Sequence, residues 1–109
     1  MVGSSSDHSH ISLSNSVLTL TATPVSGQPP STSNPFPAIH YFSGTVYSKV
    51  QVNVDGSSAK GFQVEGSFKS PTAKGTWPAF WLTAVNGWPP EADIGEWKGT
   101  HGYTAKTLV

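Results

Sequence analysis

Residues 88–97 of the chain are Trp88-Pro89-Pro90-Glu91-Ala92-Asp93-Ile94-Gly95-Glu96-Trp97. Residues i and i+2 of a β-strand share a face, so Glu91 and Asp93 should point to the same side. Glu96 lies five positions after Glu91 and would face the opposite side of a regular strand. One extra residue in a β-bulge around Ile94-Gly95 returns Glu96 to the first side, and glycine suits such a bulge. The segment therefore predicts a bulged strand with three carboxylates on one face.

These three carboxylates suggest acid–base chemistry. Like charges on one face repel each other, and nearby tryptophans would desolvate them, so we expect at least one carboxyl pKa to be raised. Glycoside hydrolysis needs one ionised carboxylate that attacks or stabilises the sugar and one protonated carboxyl that releases the leaving oxygen. Asp93, between the two glutamates, can hold a proton or hydrogen-bond the nucleophile. The spacing is equally compatible with an exposed acidic strand or with a calcium site built from carboxylate oxygens.

The composition excludes several classes of protein. The 109 residues have a formal net charge of +0 and only 11% charged residues, so neither a basic nucleic-acid binder nor an acidic tail is expected. The absence of cysteine rules out disulfide scaffolds, thiolate zinc sites and cysteine nucleophiles. No apolar run reaches the roughly 18 residues of a membrane span, and no signal peptide is visible at the N-terminus. We therefore expect no nucleic-acid partner and no membrane partner.

The apolar pattern predicts an all-β protein. Period-2 alternation recurs wherever the chain is apolar, whereas helical periodicity is not sustained in any window. Five prolines, with a glycine and serines between them, predict a loop over residues 24–38. Asp55-Gly56 and Asn86-Gly87 are turn signals, and short turns between strands imply an antiparallel sandwich or barrel. The predicted strands are Val17–Thr23, Thr45–Val54, Phe62–Lys69, Trp77–Val85 and Glu91–Lys98.

All four tryptophans lie between residues 77 and 97, around the carboxylates. Parity places Trp77 and Trp81 on one face of their strand. Aromatic rings stack on the apolar faces of sugars, but they also pack in cores, and both roles are open for Trp81 and Trp88. Trp97 is predicted to lie in the core, because the same bulge that gathers the carboxylates turns it to the other face.

The first ten residues carry little structural signal. His8 and His10 form an i, i+2 pair in a serine-rich segment without a third ligand nearby, so we predict no metal site there. Residues 1–10 are expected to be a lead segment outside the fold, either disordered or a scar-like remnant of cloning. Residues 11–109 are then expected to hold the folded part of the chain.

Two segments together resemble the catalytic region of glycoside hydrolase family 16. They are residues 88–97 and the upstream run Gly75-Thr76-Trp77-Pro78-Ala79-Phe80-Trp81-Leu82. Residues 41–49 are similar to the strand by which that family enters its sandwich. The resemblance implies an antiparallel, concanavalin A-like β-jelly-roll sandwich whose concave sheet forms a polysaccharide cleft. It also implies endo-acting hydrolysis of β-glycosidic bonds with retention.

The same resemblance assigns roles to individual residues. Glu91 matches the nucleophile, Glu96 the general acid/base and Asp93 the residue that supports the nucleophile. The two-residue gap before Glu96 resembles the bulged branch that includes laminarinases, agarases and carrageenases. Substrate-binding roles would fall to Trp77, Trp81 and Trp88, with Trp81 facing the acids.

Two positions depart from the family pattern. Ala92 stands where the family usually has isoleucine or leucine, and Gly95 replaces a bulkier residue. These departures weaken the packing behind the strand more than they affect the chemistry.

The resemblance also sets expectations about partners and size. It implies an extracellular enzyme that acts on a β-glucan-like or galactan-like polysaccharide with water as the final acceptor and no cofactor, although a structural calcium ion stays open. A non-catalytic carbohydrate-binding or inactive fragment of the same fold is the alternative. Sandwiches of this kind often need about 200–250 residues, so we expect residues 11–109 to be the N-terminal portion of a family 16 domain, completed by a missing C-terminal half or a second chain.

Overall fold

The computed structural model describes residues 6–52, 63–99, 102 and 104–108. This part of the chain contains no helix, hence none that could cross a membrane, and all its strand pairs are antiparallel. The all-β antiparallel class is therefore confirmed, and the sheets are consistent with part of a jelly-roll sandwich. The strands are β1 Ile11–Ser14, β2 Val17–Leu20, β3 Ala22–Pro24, β4 Tyr41–Ser43, β5 Ala79–Thr83, β6 Glu91–Glu96 and β7 Thr104–Leu108.

The chain divides into two compact units, Met1–Ala59 and Lys60–Val109. The first unit contains two sheets of two strands each, β1–β2 and β3–β4. The second unit contains one three-stranded sheet in the order β5-β6-β7. The central strand of that sheet, β6, is the segment that carries the three carboxylates.

The hairpin β1–β2 turns on two residues with positive φ. Asn15 has φ 48° and Ser16 has φ 61°, and the pair Ser14↔Val17 closes the hairpin. Two central residues with positive φ define a type I′ turn, whose twist matches that of the flanking strands. Strand β1 was not predicted from the sequence. Ser16, the second central residue of the β1–β2 turn, is a weaker turn signal than a glycine would be at that position.

The predicted strand Val17–Thr23 is two strands in the structure. The N–H of Thr21, which lies between β2 and β3, donates a hydrogen bond to the carbonyl oxygen of His10 at 2.9 Å. Before this residue the chain pairs with β1, and after it the chain pairs with β4. The break at Thr21 is thus the point where the strand changes partners.

Two predicted strands are wrong over the residues that the structure describes. Residues 45–52 and 63–69 form no strand; residues 53–62, including the predicted Asp55-Gly56 turn, lie outside the described residues. The hydroxyl of Ser48 donates to the carbonyl oxygen of Val50 and accepts from the Val50 N–H, at 3.0 and 3.1 Å. Such local bonds occupy backbone groups that a strand would offer to a neighbour. The alternating valines there remain exposed.

The expected lead is partly tied to the first unit. His10 Nε2 lies 2.7 Å from the hydroxyl oxygen of Thr23 in β3, and the His10 ring meets Phe42 edge to face. Hydrogen bonds from Ser9 lower the pKa of the exposed Asp7 carboxyl below its usual value. His10 thus contacts β3 and β4. The boundary at residue 10 between the lead and the folded part stays a prediction.

We expect Ser16→Gly to stabilise the protein. Glycine adopts positive φ without the steric penalty that serine has, so the free energy of unfolding should rise by about 0.5–1 kcal/mol. Urea unfolding followed by circular dichroism measures this change. Ser14→Gly, the matched control within β1, should lower the same quantity, because glycine weakens a strand interior. A loss of stability in Ser16→Gly would contradict the type I′ turn.

Candidate active site

The site is built on the hairpin of β5 and β6. Residues 84–90 connect the two strands, and the N–H of Ala84 donates to the carbonyl oxygen of Pro90 at 3.2 Å. The connection contains the predicted Asn86-Gly87 turn, with Gly87 at φ 144°. A turn that uses such a backbone conformation favours glycine. The strands Trp77–Val85 and Glu91–Lys98 predicted from the sequence are therefore present, with shorter bounds.

The predicted bulge is also present. Phe80 pairs with Gly95 and Trp81 pairs with Asp93, so Ile94 is the extra residue on β6. The register of β6 against β7 shifts in the same interval, between Asp93 and Glu96. A single inserted residue exchanges the two faces of the strand beyond it.

The bulge gathers the three carboxylates on one side of the sheet. A concave surface is lined by the side chains of Glu91, Asp93 and Glu96 from β6, together with Trp77, Ala79 and Trp81. Ile94, Gly95 and Trp97 line a separate groove together with residues 64–66 and Phe68. Glu91 and Glu96 thus share a face, which is the arrangement that the sequence predicted.

An aromatic cluster lies behind the carboxylate-bearing face. Phe68 contacts Phe80 with ring centroids 4.8 Å apart and Trp97 with centroids 5.3 Å apart. Trp97 therefore lies on the predicted face of the hairpin, opposite the carboxylates, but it is half-buried rather than in a core, since none of the described hydrophobic side chains is buried. This packing fixes the back of β6 and with it the direction in which the carboxylates point.

Two of the carboxylates are the most shielded side chains in the described part of the chain. Asp93 and Glu96 are each 7% exposed, whereas no described hydrophobic side chain is fully buried. A carboxylate removed from water needs hydrogen bonds or an opposite charge to offset its lost hydration. The surroundings of Glu96 provide both.

Glu96 is held at both carboxylate oxygens. The indole Nε1–H of Trp77 donates to Oε1 at 2.8 Å, and the ammonium nitrogen of Lys98 lies 3.6 Å from Oε2. The same nitrogen lies 4.2 Å from the ring centroid of Trp77, within the range of a cation–π contact. No role for Lys98 was predicted from the sequence, although its position two residues after Glu96 places it on the same side.

Glu91 has an indole donor of its own. The Nε1–H of Trp88 donates to Glu91 Oε2 at 3.0 Å, a contact across three residues of the chain. The rings of Trp77, Trp81 and Trp88 remain largely exposed. The tryptophans predicted to bind substrate are therefore beside the carboxylates, and two of them also donate hydrogen bonds to the glutamates.

The described residues contain no group of three or more His, Cys, Asp or Glu side chains arranged to hold a metal ion. Glu91, Asp93 and Glu96 line an open surface of the sheet. The expectation that the protein needs no cofactor, with a structural calcium ion left open, stays a prediction. The catalytic roles assigned to the three carboxylates also stay predictions at this point.

Comparison with known proteins gives two relatives. Galactan endo-β-1,3-galactanase of Flammulina velutipes is 57% identical over 93 residues, which are 84% of this chain and 36% of that protein. Endo-1,3-1,4-β-glycanase ExsH of Rhizobium meliloti (strain 1021) is 36% identical over 105 residues, or 90% of this chain and 20% of that protein. The chain thus spans about a third and a fifth of the curated relatives it matches. No family model and no solved structure matches.

We expect Gly95→Ala to destabilise the hairpin. A Cβ atom on Gly95 would lie 2.8 Å from Cη2 of Trp97, whose ring is held in place by Phe68. Overpacking of this kind lowers the free energy of unfolding by about 1–3 kcal/mol. Urea unfolding detects the change as a lower midpoint concentration. The control is Gly102→Ala, where no atom of the described residues lies within 4 Å of the new Cβ. Equal stability of the two variants would show that Gly95 is not required by the Trp97 ring.

Proposed function

We propose that this chain carries the catalytic strand of an endo-acting, retaining β-glycoside hydrolase of family 16, in its bulged branch. The observation that supports this most is the bulge at Ile94, which brings Glu91 and Glu96 to one concave face with Asp93 between them. The names of both relatives, an endo-galactanase and an endo-glycanase, support a polysaccharide substrate. The higher identity to the galactanase favours a β-1,3-linked galactan.

Hydrolysis would proceed by double displacement. Glu91 attacks the anomeric carbon while Glu96 gives a proton to the departing glycosidic oxygen, and a covalent glycosyl-enzyme ester results. Glu96 then takes a proton from water as that water attacks the anomeric carbon of the ester, which breaks the bond to Glu91 and releases the sugar. The Trp88 hydrogen bond occupies Glu91 Oε2, which leaves Oε1 to act as the nucleophilic oxygen.

Asp93 lies two residues after Glu91 on the same face and supports it in this scheme. Its side chain is buried, so its position is determined by the fold rather than by solvent. The scheme uses only protein carboxylates and water, so it requires no cofactor. A polymer substrate also fits action outside the cell, and we include an extracellular location in the proposal.

Replacing each glutamate by glutamine tests the proposal. In the complete polypeptide that contains this sequence, Glu96→Gln should lower kcat by about 10²–10⁴-fold, and Glu91→Gln by at least as much. The assay measures reducing ends released from β-1,3-galactan, lichenan, laminarin and agarose. Glu65→Gln is the matched control, since the exposed Glu65 lines the separate groove and should keep full activity.

One result would overturn the enzyme assignment. That result is release of reducing ends from all four polymers at the same negligible rate by wild type and Glu91→Gln, while affinity electrophoresis shows that one polymer still binds. The chain would then belong to a carbohydrate-binding protein. Full activity in Glu91→Gln would instead show that another residue is the nucleophile.

The separate roles of the glutamates predict distinct stereochemistry. The first product that NMR detects should keep the β configuration, because two inversions restore it. Azide should give a β-glycosyl azide in Glu96→Ala acting on a dinitrophenyl glycoside, since azide opens the covalent ester without a general base. Azide should give an α-glycosyl azide in Glu91→Ala, since it attacks in place of the missing carboxylate. An α product from wild type would contradict retention.

A further inference from the structure

Among the side chains that the structure describes at the candidate site, Lys98 is the charged one that the proposed mechanism does not use. Its ammonium nitrogen lies 3.6 Å from Glu96 Oε2 and 4.2 Å from the Trp77 ring centroid. The Trp77 N–H in turn donates to Glu96 Oε1 at 2.8 Å. Three side chains therefore form a closed triangle in which each member contacts the other two.

The triangle matters because of how a glutamate side chain moves. The terminal torsion of glutamate has a broad distribution, so one hydrogen bond alone leaves the carboxylate a wide range of orientations. In this site Trp77 holds one oxygen and Lys98 attracts the other. Rotation of the carboxylate about its last bond would lose both contacts at once.

The contribution of Lys98 is geometric rather than a matter of stability. Its side chain is 47% exposed, and an ion pair this exposed contributes little to folding. The 3.6 Å separation exceeds a direct hydrogen bond, so the attraction depends on where the ammonium group is kept. The face of the Trp77 ring keeps it there through the cation–π contact.

We propose that Lys98 is a positioning residue for Glu96: together with Trp77 it orients the carboxyl group toward the glycosidic oxygen. This inference rests on the proposed glycosidase function, in which Glu96 is the general acid/base. Lys98 itself transfers no proton and touches no reacting atom in this scheme. Its loss should therefore weaken the step that needs a well-aimed acid and spare a step that does not.

The kinetic test compares Lys98→Met with Lys98→Arg in the complete polypeptide that contains this sequence. Methionine has a similar length without the charge, whereas arginine keeps the charge and the ring contact. For the polysaccharide, Lys98→Met should lower kcat/KM about tenfold, less than the roughly 10²-fold that a 1 Å misplacement costs. For a dinitrophenyl glycoside kcat/KM should stay within about twofold of wild type, because that leaving group departs with little protonation. Lys98→Arg should restore most of the polysaccharide activity.

A second measurement does not depend on activity. Hydrogen exchange of the tryptophan indole N–H groups, followed by NMR, should be several-fold faster for Trp77 in Lys98→Met, because its hydrogen bond to Glu96 loses support. Trp88 is the internal control, since its N–H is bonded to Glu91 instead. In Lys98→Arg both exchange rates should match wild type.

The outcomes separate the two proposals. Unchanged Trp77 exchange in Lys98→Met, or equal losses of kcat/KM on both substrates, would overturn the positioning role while leaving the glycosidase intact. A wild-type protein that hydrolyses neither substrate would overturn the glycosidase function, and the exchange rates would still decide whether Lys98 holds the Trp77–Glu96 contact. Failure of arginine to rescue the activity would also exclude positioning by charge.

Discussion

The insertion of Ile94 into β6 is the constraint on which the rest of the site depends. If residues 91–96 formed a regular strand, Glu96 would face the side opposite Glu91 and Asp93, and no register with β5 would bring the two glutamates together. With the insertion, Glu96 pairs across from Ala79, two residues from Trp77, whose indole N–H then reaches the carboxylate. The contacts of Trp77 and Lys98 with Glu96 follow from this single change in strand parity.

Burial in the described part of the chain is the reverse of that in an ordinary core. Two carboxylates are buried, while large apolar side chains such as Leu13 and Val50 are exposed. Burying a carboxylate is unfavourable unless donors replace its lost water. Removal of the Trp77 donor should therefore disturb the site, because the Glu96 carboxylate would lose a hydrogen bond that replaces part of its hydration.

Sequence patterns predicted the hairpin of β5 and β6 better than the rest of the described chain, where residues 63–69 form no strand and β7 was not predicted. Around β6, parity, a glycine and an Asn-Gly turn all point to one arrangement, and the structure has it. The alternation of valines in residues 45–52 is as clear as the pattern around β6. It predicts only which side chains would share a face if a strand formed. Strand formation also needs a neighbour for the backbone, and there Ser48 bonds locally to Val50 instead.

The site residues show a similar division. Glu91, Asp93 and Glu96 could be placed on one face from spacing alone, because strand parity depends only on the backbone. The indole donors and Lys98 could not, since their contacts depend on side-chain rotamers and on the bulge geometry. Because Lys98 lies two residues after Glu96, strand parity predicts that the two side chains share a face. Parity does not predict that the ammonium group lies over the Trp77 ring.

One relative is named a galactanase and the other a β-1,3-1,4-glycanase. In the proposed mechanism Glu91 and Glu96 act at the anomeric carbon and the glycosidic oxygen, which every β-linked hexose has, so these two carboxylates do not select the sugar. Under the proposed galactan specificity, the selective contact has to reach the C4 side of the ring. The axial hydroxyl of galactose leaves a continuous apolar patch on one face of the sugar, and aromatic rings stack on such patches. Trp81, which lines the concave face opposite Asp93 and keeps 46% of its surface exposed, has the position and the free ring face that this proposed contact needs.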